Sequence, residues 1–422
     1  MPSVASEFKT SQQELLMRYI KARDQSASLC RPLQTEDYVA QPVVDVSPPK
    51  WHLAHTTWFF ENFILVPHAR NYKVFHKDFS FLFNSYYVSV GARWVRANRG
   101  NLTRPCVSEI LDYRRHVDEG IARLFQENVS EELSHLMELG IQHEQQHQEL
   151  LLYDIKFILG QNPLFPAYCS NPYPKQDQTS EIKWLPMAEG IYNIGYQGDG
   201  FHFDNEKGRH KVYLHEFELA DRLVTNGEYL EFVNDGGYNK TTLWLSEGWD
   251  WRINEEIESP LYWIKQDGGW HHYTLYGLQP IDPNEPVAHI SFYEADAFAR
   301  WKGYRLPTEF EWESVVRSFA SPEEKGNFVE KGLLAPTSKA GHHFLGNLWE
   351  WTASSYRPYP FYDPPTGAIG EYNGKFMSNQ MVLRGGSYAT PSNHIRLTYR
   401  NFFHPHLQWL FSGVRLARYT RS

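Results

Sequence analysis

At Pro163 the chain changes character, and this break constrains its fold more than any other feature. Before it, apolar residues recur with helical spacing. Leu15, Leu16, Tyr19 and Ile20 fall on one face of a run from Ser11 to Ser28. Pro48-Pro49 leads into a second amphipathic run, Trp51–Leu65, and proline suits a helix start. Val107–Phe125 and Glu131–Leu159 supply two more. Four such helices with one long connection, about 67 to 105, predict a four-helix bundle. A connection of that length commonly carries function.

After Pro163 glycine, proline, asparagine and aromatic residues dominate. The pieces Lys211–Leu219 and Met381–Arg384 look like strands, and Ser291–Trp301 reads as a helix. Asn162-Pro163, Asn171-Pro172 and Pro174 predict a linker over about 161–182. The expected fold class is therefore α+β and multidomain, with a helical domain over 1–165 and a loop-rich mixed domain over 183–422. At 422 residues each domain has enough chain for its own core.

Charge argues against nucleic acid as a partner, since charged residues make up 22% and the formal net charge is −9. The three cysteines, Cys30, Cys106 and Cys169, are too few and too odd for a disulfide framework and fit a reducing compartment. No apolar run of about 18 residues and no signal-like start occurs, so a cytoplasmic, unprocessed protein without a membrane partner is expected. The oligomeric state is not set by the sequence. An aromatic share of 16% is high, and it serves either a loop-rich core or an aromatic pocket for a cation.

The strongest chemical signal is His143-Glu144-Gln145-Gln146-His147-Gln148-Glu149. His143 and His147 are four apart on an expected helix, so both imidazoles project from one face and can reach one metal ion. Two surface histidines would have the same spacing. His-Glu-x-x-His also matches the zinc metallopeptidase motif, with the glutamate as general base, but Gln148–Asp154 lacks the third histidine of one large branch of those enzymes. Upstream, Trp51-His52-Leu53-Ala54-His55 puts two histidines, three apart, on another bundle helix. Either can complete a site between facing helices. Three imidazoles suit tetrahedral zinc with a water, or iron(II) with three open positions. Glu149 lies far round the helix from His143 and is expected either to support a ligand or to be structural. Gln146 lies near the His143 face, where it can reach a substrate beside the metal.

These segments resemble a known family. Trp-His-Leu-Ala-His-Thr-Thr-Trp-Phe-Phe-Glu at 51–61 and His-x-x-x-His-x-Glu at 143–149 look like the iron-binding helices of ergothioneine sulfoxide synthases. Those proteins join a DinB-like four-helix bundle to a domain like formylglycine-generating enzyme, a relative of the C-type lectin fold. The second half carries matching markers. They are Asp204-Asn205-Glu206, Arg305-Leu306-Pro307-Thr308-Glu309-Phe310-Glu311-Trp312, Gly346-Asn347-Leu348-Trp349-Glu350-Trp351-Thr352, Arg384-Gly385-Gly386-Ser387 and Phe411-Ser412-Gly413-Val414-Arg415. The resemblance implies an iron(II) site of His55, His143 and His147, leaves His52 outside it, and gives Glu144 no peptidase role. Formylglycine-generating enzymes work through cysteines, and this second half has none after Cys169.

The same resemblance bears on substrates. Asn84-Ser85-Tyr86-Tyr87 with Arg99-Gly100-Asn101-Leu102-Thr103-Arg104-Pro105 is similar to the subgroup that takes free cysteine, in which a tyrosine pair lies beside the iron. In Tyr399-Arg400-Asn401-Phe402-Phe403, Phe403 stands where γ-glutamylcysteine-using relatives carry an aspartate that helps hold the thiol substrate. The implied reaction joins cysteine to imidazole C2 of trimethylhistidine with O2, giving a sulfoxide. Gln146 is then expected to contact the imidazole, Asn401 to hold the carboxylate, and Phe402 and Phe403 to line the substrate site. Tyr86 or Tyr87 is expected to donate a proton or hydrogen atom. Related readings are a selenoneine-forming enzyme and a 5-histidylcysteine sulfoxide-forming enzyme. Readings of another class are a zinc metallopeptidase and a lectin-like domain that only binds.

Overall fold

A computed structural model of the chain describes residues 12–85, 87, 91–127, 129–321, 326–338, 341–364 and 373–420. It divides into two compact units, Met1–Gln161 and Asn162–Ser422.

The first unit is built on four long helices, α1 Gln12–Cys30, α2 Pro49–Phe60, α5 Val107–Leu124 and α6 Glu131–Gly160. Between α2 and α5 lie α3 Val66–His68 and α4 Phe79–Phe83. Pro49 opens α2, where its missing N–H costs nothing. Ser130 caps α6 by accepting from the Leu133 N–H at 3.2 Å, and Glu131 and Glu132 in the first turn favour the helix dipole. All of α2 is buried, and α6 is buried along most of its length, so these two helices form the centre of the bundle. Gly140 lets them meet, because a Cβ there would lie 2.5 Å from the Phe60 ring. The buried face of α1 uses Leu15, Tyr19, Ala22 and Leu29, whereas Ile20, expected on that face, is 41% exposed.

One local feature departs from the helical reading. Residues Glu61–Leu65 form a π-helical turn at the end of α2. The buried Glu61 carboxylate there accepts from Tyr72 and Tyr113 hydroxyls, both at 2.7 Å, and from the Phe75 N–H. Such turns commonly mark functional sites. The long connection after α2 is tied down rather than loose. Lys50 Nζ donates to the carbonyls of Leu102 and Pro105, and the Gln41 side chain bridges Arg96 O and Gly100 N.

In the second unit three helices start with reciprocal caps. They are α7 Asn226–Asn234 with Thr225 and Glu228, α9 Phe292–Trp301 with Ser291 and Glu294, and α10 Glu309–Phe319 with Thr308 and Glu311. Between α7 and α9 lies α8 Ser246–Asn254. An antiparallel sheet has the order β1 Trp184–Met187, β4 Phe217–Ala220, β12 Ala417–Tyr419. A mixed sheet runs β10 Asn401–Phe403, β9 Met381–Arg384, β8 Trp349–Ser355, β11 Ser412–Gly413. A hairpin, β2 Gly190–Ile194 with β3 His210–Leu214, and a meander, β5 Trp263–Gln266, β6 Gly269–Thr274 and β7 Gly277–Pro280, complete the sheets. The single strand expected over Lys211–Leu219 is thus two strands, broken at His215-Glu216. Mixed helices and sheets after a helical bundle agree with the expected α+β class.

The five markers of this half meet in one buried network. Glu206 pairs with Arg396, Glu309 with Arg400, Glu313 with Arg384, and Glu350 with Arg415. The Trp312 indole N–H donates to Glu350 at 2.7 Å. The predicted linker is part of this unit. Tyr173 donates to Glu285, Thr179 bonds Asn284 twice, and Gln176 bonds Pro336 and Ser338.

Candidate metal centre

The helical spacing of α6 and the buried face of α2 bring His55, His143 and His147 together. One nitrogen from each lies within 4.8 Å of the others. Their ring centroids are 4.7 to 5.0 Å apart. His55 is fixed by its Nδ1–H, which donates to Phe83 O at 2.6 Å at the end of α4. Its Nε2 is buried and has no hydrogen-bond partner among the described residues. A buried polar nitrogen left so is costly unless something else binds it. Burial holds all three imidazoles neutral: burial and repulsion from neighbouring histidines put His55 and His147 well below the usual range, and burial pushes His143 down to about 3. Neutral imidazoles are what a divalent metal needs. Three neutral nitrogens and no thiolate fit iron(II) or zinc.

His52 lies outside this set. Its Nε2 contacts Asp154 Oδ2 at 2.8 Å and its Nδ1 faces His147 Nδ1 at 2.9 Å. Glu144 is buried in an ionic cluster with Arg23 at 2.9 Å and Arg114 at 3.0 Å, and it accepts from Ser26. Burial opposes its charge, but the two guanidiniums outweigh burial and hold its pKa at about 2. A carboxylate so committed is a structural anion, which removes the peptidase-like use of the motif. Glu149 accepts from Tyr153 at 2.6 Å.

Aromatic rings wall the imidazoles. His55 is stacked between Trp51, at 4.5 Å and 12°, and Trp58, at 5.5 Å and 13°. Phe59 lies against His143, and Phe63 contacts Trp58 and Phe59. Tyr87 is buried and packs on Trp58 and Phe63, one ring removed from His55. Tyr86 lies outside the described residues. Gln146 is half-buried on α6, between the two ligand-type histidines.

Arg99 adds a charge. It is 5% exposed, stacks its guanidinium 3.3 Å over Trp51, and donates to Ser47 and Ser85 hydroxyls. No carboxylate forms an ion pair with it among the described residues. Sequence reasoning quoted Arg99 but gave it no role, and it overlooked Asp154. A signal for Asp154 was present: it follows His147 by seven residues, two helical turns.

The remaining expected residues belong to the second unit. Phe402 stacks on Tyr356, at 4.0 Å and 9°, and lies near Phe376, at 6.0 Å and 26°. Phe403 meets Trp409 edge-on, and Asn401 Oδ1 accepts from the Phe402 N–H.

Known proteins resemble this chain in both halves. Residues 18–151 match the DinB superfamily, and 171–333 with 334–420 match the sulfatase-modifying factor enzyme 1-like domain. Hercynine oxygenase of Mycobacterium tuberculosis is 31% identical over 308 residues, covering 67% of this chain and 71% of its own. Hercynine oxygenase of Mycolicibacterium smegmatis is also 31% identical, over 66% of this chain and 70% of its own. Ergothioneine biosynthesis protein 1 of Schizosaccharomyces pombe is 28% identical over 52% of this chain and 28% of its own. Both domain families in this order, with hercynine oxygenases matched across the greater part of the chain, make the protein a member of the ergothioneine sulfoxide synthase family and an oxygenase.

Proposed function

We propose that the protein joins cysteine to imidazole C2 of trimethylhistidine with O2, using iron(II) held by His55, His143 and His147. The observation that carries this reading is the convergence of three neutral imidazoles, His55 and His143 buried and His147 half-buried, with an Nε2 of His55 that has no partner among the described residues, inside aromatic walls. The imidazole C–H and thiol S–H bonds give way to a C–S bond. One oxygen atom goes to sulfur and the other leaves as water, which accounts for four electrons. Iron(II), when bound, supplies the activation of O2 and a position for the thiolate sulfur.

The protein's own groups bind and orient. The aromatic walls suit a trimethylammonium group, with a desolvated cation–π contact contributing about 2 kcal/mol. Gln146 is assigned to the substrate imidazole, and Asn401, Phe402 and Phe403 to substrate binding. Arg99, a desolvated cation with no ion-paired carboxylate among the described residues, is assigned to a substrate carboxylate. Tyr86 or Tyr87 holds the proton to be delivered. Phe403, in place of an acidic residue, favours cysteine over γ-glutamylcysteine. The cysteines Cys30, Cys106 and Cys169 are free thiols, which supports a reducing, cytoplasmic setting. Among the described residues no helix is long and apolar enough to cross a membrane.

The test is anaerobic loading with iron(II), then O2 and trimethylhistidine with cysteine, γ-glutamylcysteine or a selenosugar, with products identified by mass. Cysteine is expected to give the sulfoxide with the highest kcat/KM. Preference for the dipeptide or selenosugar overturns the donor assignment. Unchanged iron content and turnover in His55→Ala overturns the ligand set.

A further inference from the structure

We infer that Asp154 and His52 form a hydrogen-bonded chain that orients His147 and selects the nitrogen it offers to a metal. His143, His147 and Asp154 lie at intervals of four and seven along α6, so all three fall on one stripe of that helix. His52 faces that stripe from α2 and is 4% exposed, while Asp154 is 2% exposed. Asp154 Oδ2 accepts from the Ser47 N–H at 2.8 Å and from His52 Nε2–H at 2.8 Å. With its proton on Nε2, His52 has a bare Nδ1. That atom lies 2.9 Å from His147 Nδ1, so His147 must carry its proton there and donate it. The Nε2 lone pair of His147 is then the one left for the metal.

His55 is held differently, by a neutral carbonyl, Phe83 O. Two of the three imidazoles therefore have distinct supports: one ends on a peptide oxygen and the other on a carboxylate two groups away. The carboxylate end makes His147 the stronger donor and keeps its ring from turning. This inference rests on reading the triad as the metal site.

The full-length protein serves for the test. Histidine labelled with 15N reports the tautomers in the metal-free wild type, and His147 is expected to be protonated at Nδ1 and His52 at Nε2. Cobalt(II) affinity is then measured anaerobically by chelator competition, with the visible ligand-field bands recorded. His52→Phe and Asp154→Asn are each expected to weaken cobalt binding about 10- to 100-fold and shift those bands. His52→Gln, which can accept from His147 and donate to Asp154, is expected to restore most of the affinity. Glu61→Gln, an equally buried change in the turn that follows α2, is expected to leave it unaltered.

Protonation of His147 at Nε2 in the wild type overturns the inference, and this measurement needs no variant to fold. Unchanged affinity and bands in folded His52→Phe and Asp154→Asn also overturn it, while metal binding by the triad stands. A wild type that binds neither cobalt nor iron overturns the metal reading as well.

Discussion

The Trp51 indole lies parallel to the His55 imidazole, 4.5 Å away, and so joins a ligand-type histidine to whatever covers its other face. That other face carries the Arg99 guanidinium at 3.3 Å. Arg99→Leu removes the charge assigned to a substrate carboxylate but none of the imidazoles. Iron content is expected to stay at the wild-type level while KM for one amino-acid substrate rises about 10- to 100-fold, the worth of a charge-assisted contact. Steady-state kinetics against each substrate in turn identifies which carboxylate it holds. An unchanged KM for both removes Arg99 from substrate binding.

The tyrosine pair is expected to direct the product as well as the rate. Phenylalanine keeps the volume of tyrosine and loses the transferable proton, so packing changes little. Without the phenol, cysteine and O2 are expected to give more cysteine sulfinic acid, in which both oxygen atoms go to sulfur. Product ratios from Tyr86→Phe, Tyr87→Phe and the double variant check this. Wild-type ratios and rates in all three would leave the pair with a packing role.

Gly140→Ala tests the contact that sets the two central helices. Alanine is better than glycine within a helix by up to about 1 kcal/mol. Here the added Cβ would meet the fully buried Phe60 ring at 2.5 Å, and overpacking of that kind costs about 1–3 kcal/mol. Net destabilisation is expected, together with weaker metal binding, because His143 is one turn further along α6. Urea unfolding gives the first quantity and metal titration the second.

Glu294 makes the second unit sensitive to pH. Burial raises its pKa to about 7, against the lowering effect of hydrogen bonds from Tyr238, Ser291 and Gln408. The unfolded chain loses this proton near the ordinary value of 4.5, so the folded state holds it longer. Stability is therefore highest below that value, falls as pH rises toward 7, and then levels, with a total loss of about 3 kcal/mol. Glu294→Gln is expected to flatten this slope between pH 5 and 8 in denaturation experiments.

Some of this architecture can be read directly from spacing and some cannot. The four-residue interval between His143 and His147 puts two rings on one face of any helix, whatever surrounds it. The three-residue interval between His52 and His55 does not separate them, since both face α6. What separates them is tertiary: Asp154 takes His52 Nε2, while Phe83 O takes only the Nδ1 of His55. The π turn after Phe60 depends on the partners of Glu61, which come from a later connection and from α5. The stretch 162–182 looks like a linker because proline and asparagine are frequent there. Its partners, Asn284, Glu285 and Ser338, lie more than a hundred residues on.

The interlocked arginine–glutamate pairs of the second unit have a consequence for how this half tolerates change. Glu350 and Arg415 belong to two different marker segments, while Glu206, Glu309 and Arg384 pair with Arg396, Arg400 and Glu313 outside them, so losing one partner strands a buried ion at a cost of about 3–5 kcal/mol. Stretches that hold none of these charges carry no such obligation, and doubling the length of a flexible loop adds only about 0.6 kcal/mol. Insertions and exchanges should therefore be accepted freely in stretches without these charges and hardly at all around the paired residues, so the unit behaves as a rigid frame with interchangeable spans.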